Sequence, residues 1–406
     1  MGDYEELIKK ENPDFVGITA HTCEERVAID CARKTKNINN RIITIVGGIQ
    51  PTISADEFIK SGVVDFIFKG EGEKSLPELL NNPQKFSQVF YGEPPDLDEI
   101  PFEDRELWPD YRQRIHRRII NFSGKLPVVD ILTKRGCPWQ CRFCCGPGEQ
   151  NLYTKETLKQ RIPFIRSRSV GNVIEELRLL YDKYRFKSII FHDDQFILDF
   201  NWTEYFCQAM RDYGFVKKNI KFWAEIRADI ICHRPDLIEK LKGVGLETCS
   251  VGFESFSKRM LEWMNKGVGV RENIQAADIL KRLKIKIFAN TILGMPYKDG
   301  KWYVEDDLKT FRAIKKINPF HWSYSFFSPI PGSDFYHWFL KRGLILDNSS
   351  RLLGQRCIIN ANVRSVDYEF LNKLLKRYLF YREPLWFFLK SSWGMFKRLN
   401  FFKNNI

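Results

Sequence analysis

Cys137, Cys141 and Cys144 stand at C-x3-C-x2-C spacing inside Arg135-Gly136-Cys137-Pro138-Trp139-Gln140-Cys141-Arg142-Phe143-Cys144, directly after the apolar run Val128-Val129-Asp130-Ile131-Leu132. A loop this short gathers three thiols, and Gly136 and Pro138 suit a chain that turns sharply. An iron–sulfur cube takes one thiolate per iron. Three local thiolates therefore leave one iron open to another ligand, as a catalytic metal centre requires. A structural zinc knuckle is the alternative. Zinc prefers four ligands, usually as two spaced pairs, and the nearby fourth candidate is the vicinal Cys145.

Residues 126–345 must position that loop, and they read as six strand–helix repeats. The strand candidates are Val128–Thr133, Lys187–Phe191, Ile220–Ile226, Glu247–Phe253, Lys286–Leu293 and Trp322–Ser328; helical patterns cover 172–184, 202–213, 235–242, 271–283 and 303–316. Reactive groups of such βα barrels belong at the carboxyl ends of the strands. The second strand ends in Asp193-Asp194, adjacent carboxylates that are costly unless they meet a cation or a metal; a solvated turn with a capping Asp is the plainer reading. The third carries Glu225 and Arg227, which face a ligand's carboxylate and hydroxyls or pair with each other. The fourth ends Gly252-Phe253-Glu254-Ser255, the fifth Leu293-Gly294-Met295-Pro296, and the sixth Ser328-Pro329-Ile330-Pro331-Gly332-Ser333.

Ahead of the barrel, residues 1–91 alternate strands at 14–19, 41–46 and 64–68 with helices at 23–36 and 53–61, which predicts a parallel sheet covered on both faces. Ligands of such sheets bind beyond the strands' carboxyl ends. Thr19, Gly47, Gly48, Gly70 and Glu71 stand there, although glycines also build tight βα turns for their own sake. Residues 92–125, first rich in Pro and acidic groups and then basic, read as a linker. Residues 346–406 form a tail with a helical stretch at 367–382, followed by aromatics interleaved with Lys and Arg from Pro384 to Lys403. That last pattern suits an anionic membrane face or a cover for a lipid-like substrate; a helix packing its aromatics on the barrel fits as well, and slightly better.

The formal net charge is +13, yet no helix-turn-helix, zinc-finger or RNA-binding signature accompanies it, so no nucleic-acid partner is expected. No apolar run approaches a membrane span. The polar start, with no signal peptide, and ten cysteines, six of them scattered among apolar or helical surroundings, point to a reduced cytoplasmic setting. The basic tail adds peripheral contact with the inner membrane face to that expectation.

With its aromatic residue before the last Cys, the cysteine loop resembles the signature of the radical S-adenosylmethionine (radical SAM) superfamily. Pro13-Asp14-Phe15-Val16-Gly17-Ile18, Val46-Gly47-Gly48 and Gly70-Glu71-Gly72-Glu73 resemble the later half of the cobalamin-binding domain that precedes many such cores. Set against that family, the sequence begins after the domain's first strand, first helix and second strand, and it contains no Asp-x-His-x-x-Gly segment. The resemblance implies an α/β chain: a partial (β/α)6 barrel behind an incomplete Rossmann-like domain, with a helical C-terminal tail. It implies a 4Fe-4S cluster on Cys137, Cys141 and Cys144. It implies S-adenosylmethionine held by Asp193 or Asp194, Glu225, Arg227, Gly252, Glu254, Ser255 and Gly294, and cobalamin held near Thr19, Gly47, Gly48, Gly70 and Glu71.

Such an enzyme cleaves S-adenosylmethionine reductively to a 5′-deoxyadenosyl radical. The usual outcome in the cobalamin-associated branch is methylation, ring closure or another carbon-skeleton change at an unactivated carbon. A small-molecule or lipid-like substrate is implied, with a reducing partner such as flavodoxin or ferredoxin. A cobalamin-independent radical SAM oxidoreductase and a zinc- or cluster-stabilised binding protein are the alternatives. A methylthiotransferase fits less well, since its N-terminal domain supplies three further cluster cysteines and only Cys23 and Cys31 precede the motif here.

Overall fold

Residues 2–22, 24–117, 125–154, 164–345 and 363–382 are described by a computed structural model. The first strand–helix alternation folds into a parallel sheet of β1 (Phe15–Thr19), β2 (Ile43–Gly47), β3 (Phe66–Gly70) and β4 (Val89–Gly92), paired in that order. Both faces are buried, as continuous apolar runs in parallel strands require. Val46 and Ile67 pack with Ala28, Ala32 and Phe58 of the helices Glu25–Ile38 and Asp56–Ser61, while Ile45, Phe68 and Phe90 pack with Leu79 of the helix Ser75–Asn81 on the other face. Sequence patterning overlooked β4 and the helix Gly2–Glu11, whose Tyr4 hydroxyl lies 2.7 Å from Thr35 Oγ1.

The second sheet comprises β5 (Val128–Ile131), β8 (Ser188–Phe191), β9 (Lys221–Glu225), β10 (Leu246–Glu254), β11 (Lys286–Leu293) and β12 (His321–Phe326). Its order is β12-β11-β10-β9-β8-β5, all parallel. Among the described residues β5 and β12 do not pair, so the barrel is open, as expected from six repeats. Between β5 and β8 lies a small antiparallel pair, β6 (Lys134–Arg135) and β7 (Arg166–Ser167). Helices follow with local reasons for starting where they do: Ser169 Oγ accepts from Asn172 N–H at the head of Val170–Tyr184, and Asp199 caps Phe200–Asp212. An aromatic nucleus of Phe191, Phe196, Phe206 and Phe222 joins β8 and β9 to the outer helices, with centroids 4.8–6.1 Å apart.

The described part of the linker is packed, not loose. Its Arg105 sends Nη2 to Glu176 Oε1 at 2.8 Å and to the Asp130 carbonyl at 3.0 Å, and both charged side chains are 5% exposed. The two sheets also meet where the turn after β12 reaches the short helix Ile49–Ile53: a methyl group on Gly332 would lie 3.0 Å from Ile53 Cβ. The helix expected at 367–382 is Tyr368–Arg382, packed on the barrel through Leu371 and Tyr378. The aromatic and basic segment beyond it lies outside the described residues, so the expected membrane contact has no structural support. Among the described residues no helix is long and apolar enough to cross a membrane, and the eight described cysteines are all free thiols.

Candidate active site

The cysteine loop leaves the end of β5 under tight control. Asp193, at the end of β8 and 3% exposed, accepts from Thr133 N–H (2.6 Å), Thr133 Oγ1 (2.6 Å) and Lys134 N–H (2.8 Å). Gly136 follows with φ +85°, and a Cβ there would sit 2.7 Å from the Phe164 carbonyl oxygen, so only glycine fits. Further along, Arg142 N–H donates to the Met264 carbonyl at 2.9 Å, its guanidinium covers the Trp263 ring at 4.1 Å, and Asn265 Nδ2 donates to the Gln140 carbonyl at 2.8 Å. The loop is thereby fastened at both ends.

Its three thiols lie within electrostatic reach of one another. Burial pushes the Cys137 thiol up to about 11 and the Cys141 thiol upward as well. Cys144 is drawn down to about 7, chiefly by a hydrogen bond from the Cys145 thiol, and it also accepts Gly146 N–H at 3.3 Å. Among the described residues no three His, Cys, Asp or Glu side chains converge on a single ion. Tetrahedral zinc with bonds of about 2.3 Å needs sulfurs about 3.8 Å apart, whereas a cube spreads one thiolate over each iron. Three thiols on one loop suit a cluster that takes one thiolate per iron.

Around these thiols the barrel mouth gathers Asp194, Glu225, Glu254 and a lysine that sequence reasoning missed, Lys266. Lys266 is 8% exposed, lies in the turn after the helix Lys258–Trp263, and holds Glu254 Oε1 at 3.1 Å. Its charge and that of Arg227 act on Cys141. Glu225 is pushed up to about 7 by burial and, further, by the charges of Glu254 and Asp194, against the pull of Lys266. Asp194 opens onto the cleft, but protein crowds its other sides, and this desolvation with the charge of Asp193 raises its carboxyl. Glu254 is forced to φ +59° beside an irregularity in the β10–β11 register, strain of the kind that collects at functional sites. Gly252 makes room for it, since a Cβ would lie 2.5 Å from Glu254 Oε1.

Several expected contacts are otherwise engaged. Asp193 is saturated by the cysteine strand, so of the adjacent pair only Asp194 is presented to the cleft. Arg227 binds neither a ligand-facing group nor Glu225: it pairs with Asp229 at 3.0 Å, donates to the Lys266 carbonyl at 2.7 Å and stacks over Trp139 at 4.3 Å. Ser255 turns its Oγ to Ser257 N–H (3.1 Å) and Thr310 (3.5 Å). Gly294 gives its N–H to Asp307 and lies under Leu371 and Val366, which a Cβ would meet at 2.9 and 3.3 Å. Deeper inside, Asn290 Nδ2 donates to Ser250 Oγ at 2.8 Å and Ser250 Oγ to Glu225 Oε2 at 3.4 Å, above half-buried Trp223 and Phe288.

The first sheet points its strand ends at this mouth. A cleft of about 350 Å³ is lined on one side by Gly70–Glu73 and on the other by residues including Arg135, Gly136, Glu149, His192 and Asp194. Thr19 is exposed, opposite Gly47 in the β1–β2 register. Gly48 (φ +101°) needs no ligand to explain it, because a Cβ would lie 2.9 Å from the Ala20 carbonyl oxygen. Glu71 is already engaged: both of its carboxylate oxygens are taken by arginines, Oε2 by Arg135 and Oε1 by Arg166. Gly70 and Gly72 line the cleft with backbone not screened by side chains, which fits an amide-rich ligand such as a corrin. The thiols with Lys266, Asp194 and Glu254 likewise fit an anionic cluster and a zwitterionic amino acid.

Residues 131–308 match the radical SAM superfamily, and residues 2–80 match the B12 binding domain. The chain therefore carries a radical SAM domain preceded by a B12-binding domain. It is 26% identical over 365 residues to an uncharacterized methyltransferase of Pyrococcus horikoshii, covering 85% of this chain and 73% of that protein. It is 24% identical to the anaerobic magnesium-protoporphyrin IX monomethyl ester cyclase of Rubrivivax gelatinosus, covering 82% of this chain and 59% of the cyclase. In fold it is similar to the cobalamin-dependent S-adenosylmethionine radical enzyme OxsB, solved with aqua-cobalamin and S-adenosylmethionine (TM-score 0.66, 14% identity, 92% of this chain and 59% of OxsB).

Proposed function

We propose that the protein modifies an unactivated carbon of a small-molecule substrate by radical chemistry, with cobalamin-dependent methylation as the outcome. One observation carries this: Asp194, which lines the cleft together with the strand-end turn Gly70–Glu73 of the B12-binding domain, also lies within electrostatic reach of Cys137, Cys144 and Glu225. When bound, the 4Fe-4S cluster with S-adenosylmethionine supplies a 5′-deoxyadenosyl radical, and methylcobalamin supplies a methyl group.

The chain's own residues bind, orient and desolvate. Cys137, Cys141 and Cys144 hold three irons. Lys266 takes the cofactor's carboxylate and Asp194 its ammonium, each a charge-assisted contact. Glu225, backed by Ser250 and Asn290, takes a hydroxyl. Arg227 stiffens the loop through Trp139, a positioning role. Trp223 and Phe288 offer apolar surface to the substrate inside the barrel. The reductant is a small electron-carrier protein of the flavodoxin or ferredoxin kind.

The test is anaerobic. The protein is reconstituted with iron and sulfide, reduced, and given S-adenosylmethionine with and without methylcobalamin, and 5′-deoxyadenosine is assayed by mass spectrometry. Product absent from Cys144→Ala is expected. No cluster and no product, with zinc bound instead, overturns the reading.

A further inference from the structure

The cysteine loop is flanked on both sides by contacts that lead into the B12-binding domain. Just before Cys137, Arg135 reaches Glu71 and, at 2.5 Å, Glu73, both in the turn after β3. Arg166, paired with Arg135 across β6 and β7, takes the other oxygen of Glu71 and donates to the Pro95 carbonyl at 3.1 Å. Glu71 is therefore a bridge between two arginines, with its side chain 13% exposed and that of Arg166 7% exposed. The turn cannot retreat, because Gly92 backs it so closely that a Cβ there would lie 1.8 Å from the Glu71 carbonyl oxygen. Just after Cys144, the helix Gly146–Thr154 abuts the turn at Gly332, where a Cβ on Gly148 would lie 2.2 Å from the Gly332 carbonyl oxygen; Gly332 in turn sits on Ile53.

The turn that carries Glu71 and Glu73 is also a wall of the cleft. A ligand that shifts or stiffens this turn must act on Arg135, two residues from Cys137. Packed, ion-paired elements respond to such a push as units and do not deform continuously. We infer that Glu71 couples the two cofactor sites: corrin binding on one side of the Glu71–Arg135–Arg166 bridge changes S-adenosylmethionine affinity on the other. Glu71 acts here as a positioning residue. The inference rests on the cobalamin reading above.

Linkage makes it measurable. If hydroxocobalamin changes the S-adenosylmethionine Kd by some factor, S-adenosylmethionine must change the hydroxocobalamin Kd by the same factor. Both constants are measured by anaerobic equilibrium dialysis on the cluster-loaded full chain, each with and without the other ligand. The expected factor is about tenfold, within the usual range for linked sites, and equal in both directions. In Glu71→Gln, which keeps the shape and removes the charge, it falls to about twofold or less. Glu73→Gln, which leaves the bridge itself intact, retains most of it. Thermal melts and iron content show whether each variant is folded and loaded.

A wild type that binds both ligands independently overturns the inference while leaving the cobalamin reading intact. So does a folded, loaded Glu71→Gln variant with undiminished linkage. Failure of wild type to retain hydroxocobalamin overturns the cobalamin reading, and the inference with it.

Discussion

Replacing Lys266 by Met should separate what this lysine does for the fold from what it does for the cofactor. Lys266 and Glu254 are 10% and 12% exposed in their side chains and 3.1 Å apart. Removing one partner of a buried pair strands the other, at a cost of about 3–5 kcal/mol. The cofactor carboxylate loses a charge-assisted hydrogen bond worth about 1.5–3 kcal/mol, so the S-adenosylmethionine Kd rises about 10- to 150-fold. Anaerobic urea unfolding gives the first quantity and equilibrium dialysis the second. The double variant Lys266→Met/Glu254→Gln leaves no stranded charge and should regain most of the stability while S-adenosylmethionine binding stays weak. A single variant that loses stability but binds S-adenosylmethionine within about twofold of wild type would refute the cofactor contact. Restored binding in the double variant would refute it as well.

Cys137→Ala, Cys141→Ala and Cys144→Ala should each reduce iron after reconstitution from about four per chain to below one, read by colorimetric iron assay, whereas Cys145→Ala should keep its iron. Asp193→Ala leaves Thr133 N–H and Lys134 N–H without their acceptor and should destabilise the chain by about 2–4 kcal/mol, measured by urea unfolding. Asp307 is raised to about 7, foremost by burial. A raised carboxyl contributes most stability while protonated, so this contribution is present at low pH and is lost as pH rises through about 7. Asp307→Asn should flatten the fall in Tm between about pH 4 and 7, a window that thermal melts at several pH values resolve. Gly92→Ala drives a methyl group into the Glu71 carbonyl and should cost about 1–3 kcal/mol, seen as a lowered Tm.

Much of the scaffold was legible because its signals are local. The apolar strand cores at Ile42–Val46 and Lys286–Leu293 stand out, and β11 has the expected bounds. The cysteine loop is legible because its spacing is itself the chemistry. The helix Gly146–Thr154 was missed because Gly146-Pro147-Gly148 reads as a turn, although Pro is at home in a first helical turn. Lys266 was missed for a different reason. It sits in an ordinary Asn-Lys-Gly turn, and only the fold brings it to Glu254, 12 residues back, and to Cys141 on another strand's loop. Glu71 carried a plausible local signal, a strand-end turn, but its actual partners lie 64 and 95 residues away. Asp193 and Asp194 look alike in sequence; the alternation of faces at the end of β8 gives one to the scaffold and the other to the cleft.

In both sheets each strand pairs with its predecessor in the chain, leaving aside the small β6–β7 pair: β1 to β4 in order, then β5, β8, β9, β10, β11 and β12. Parallel sheets usually make the chain wait for distant partners, but here every addition needs only what has already been synthesised. Domains fold as units during translation, N-terminal first. Glu71, Glu73 and Ile53 are therefore in place before the ribosome delivers Arg135 and the cysteines. Order of synthesis thus lets the earlier domain offer the Glu71–Glu73 turn and Ile53 as a formed surface to the cysteine loop that follows in the chain.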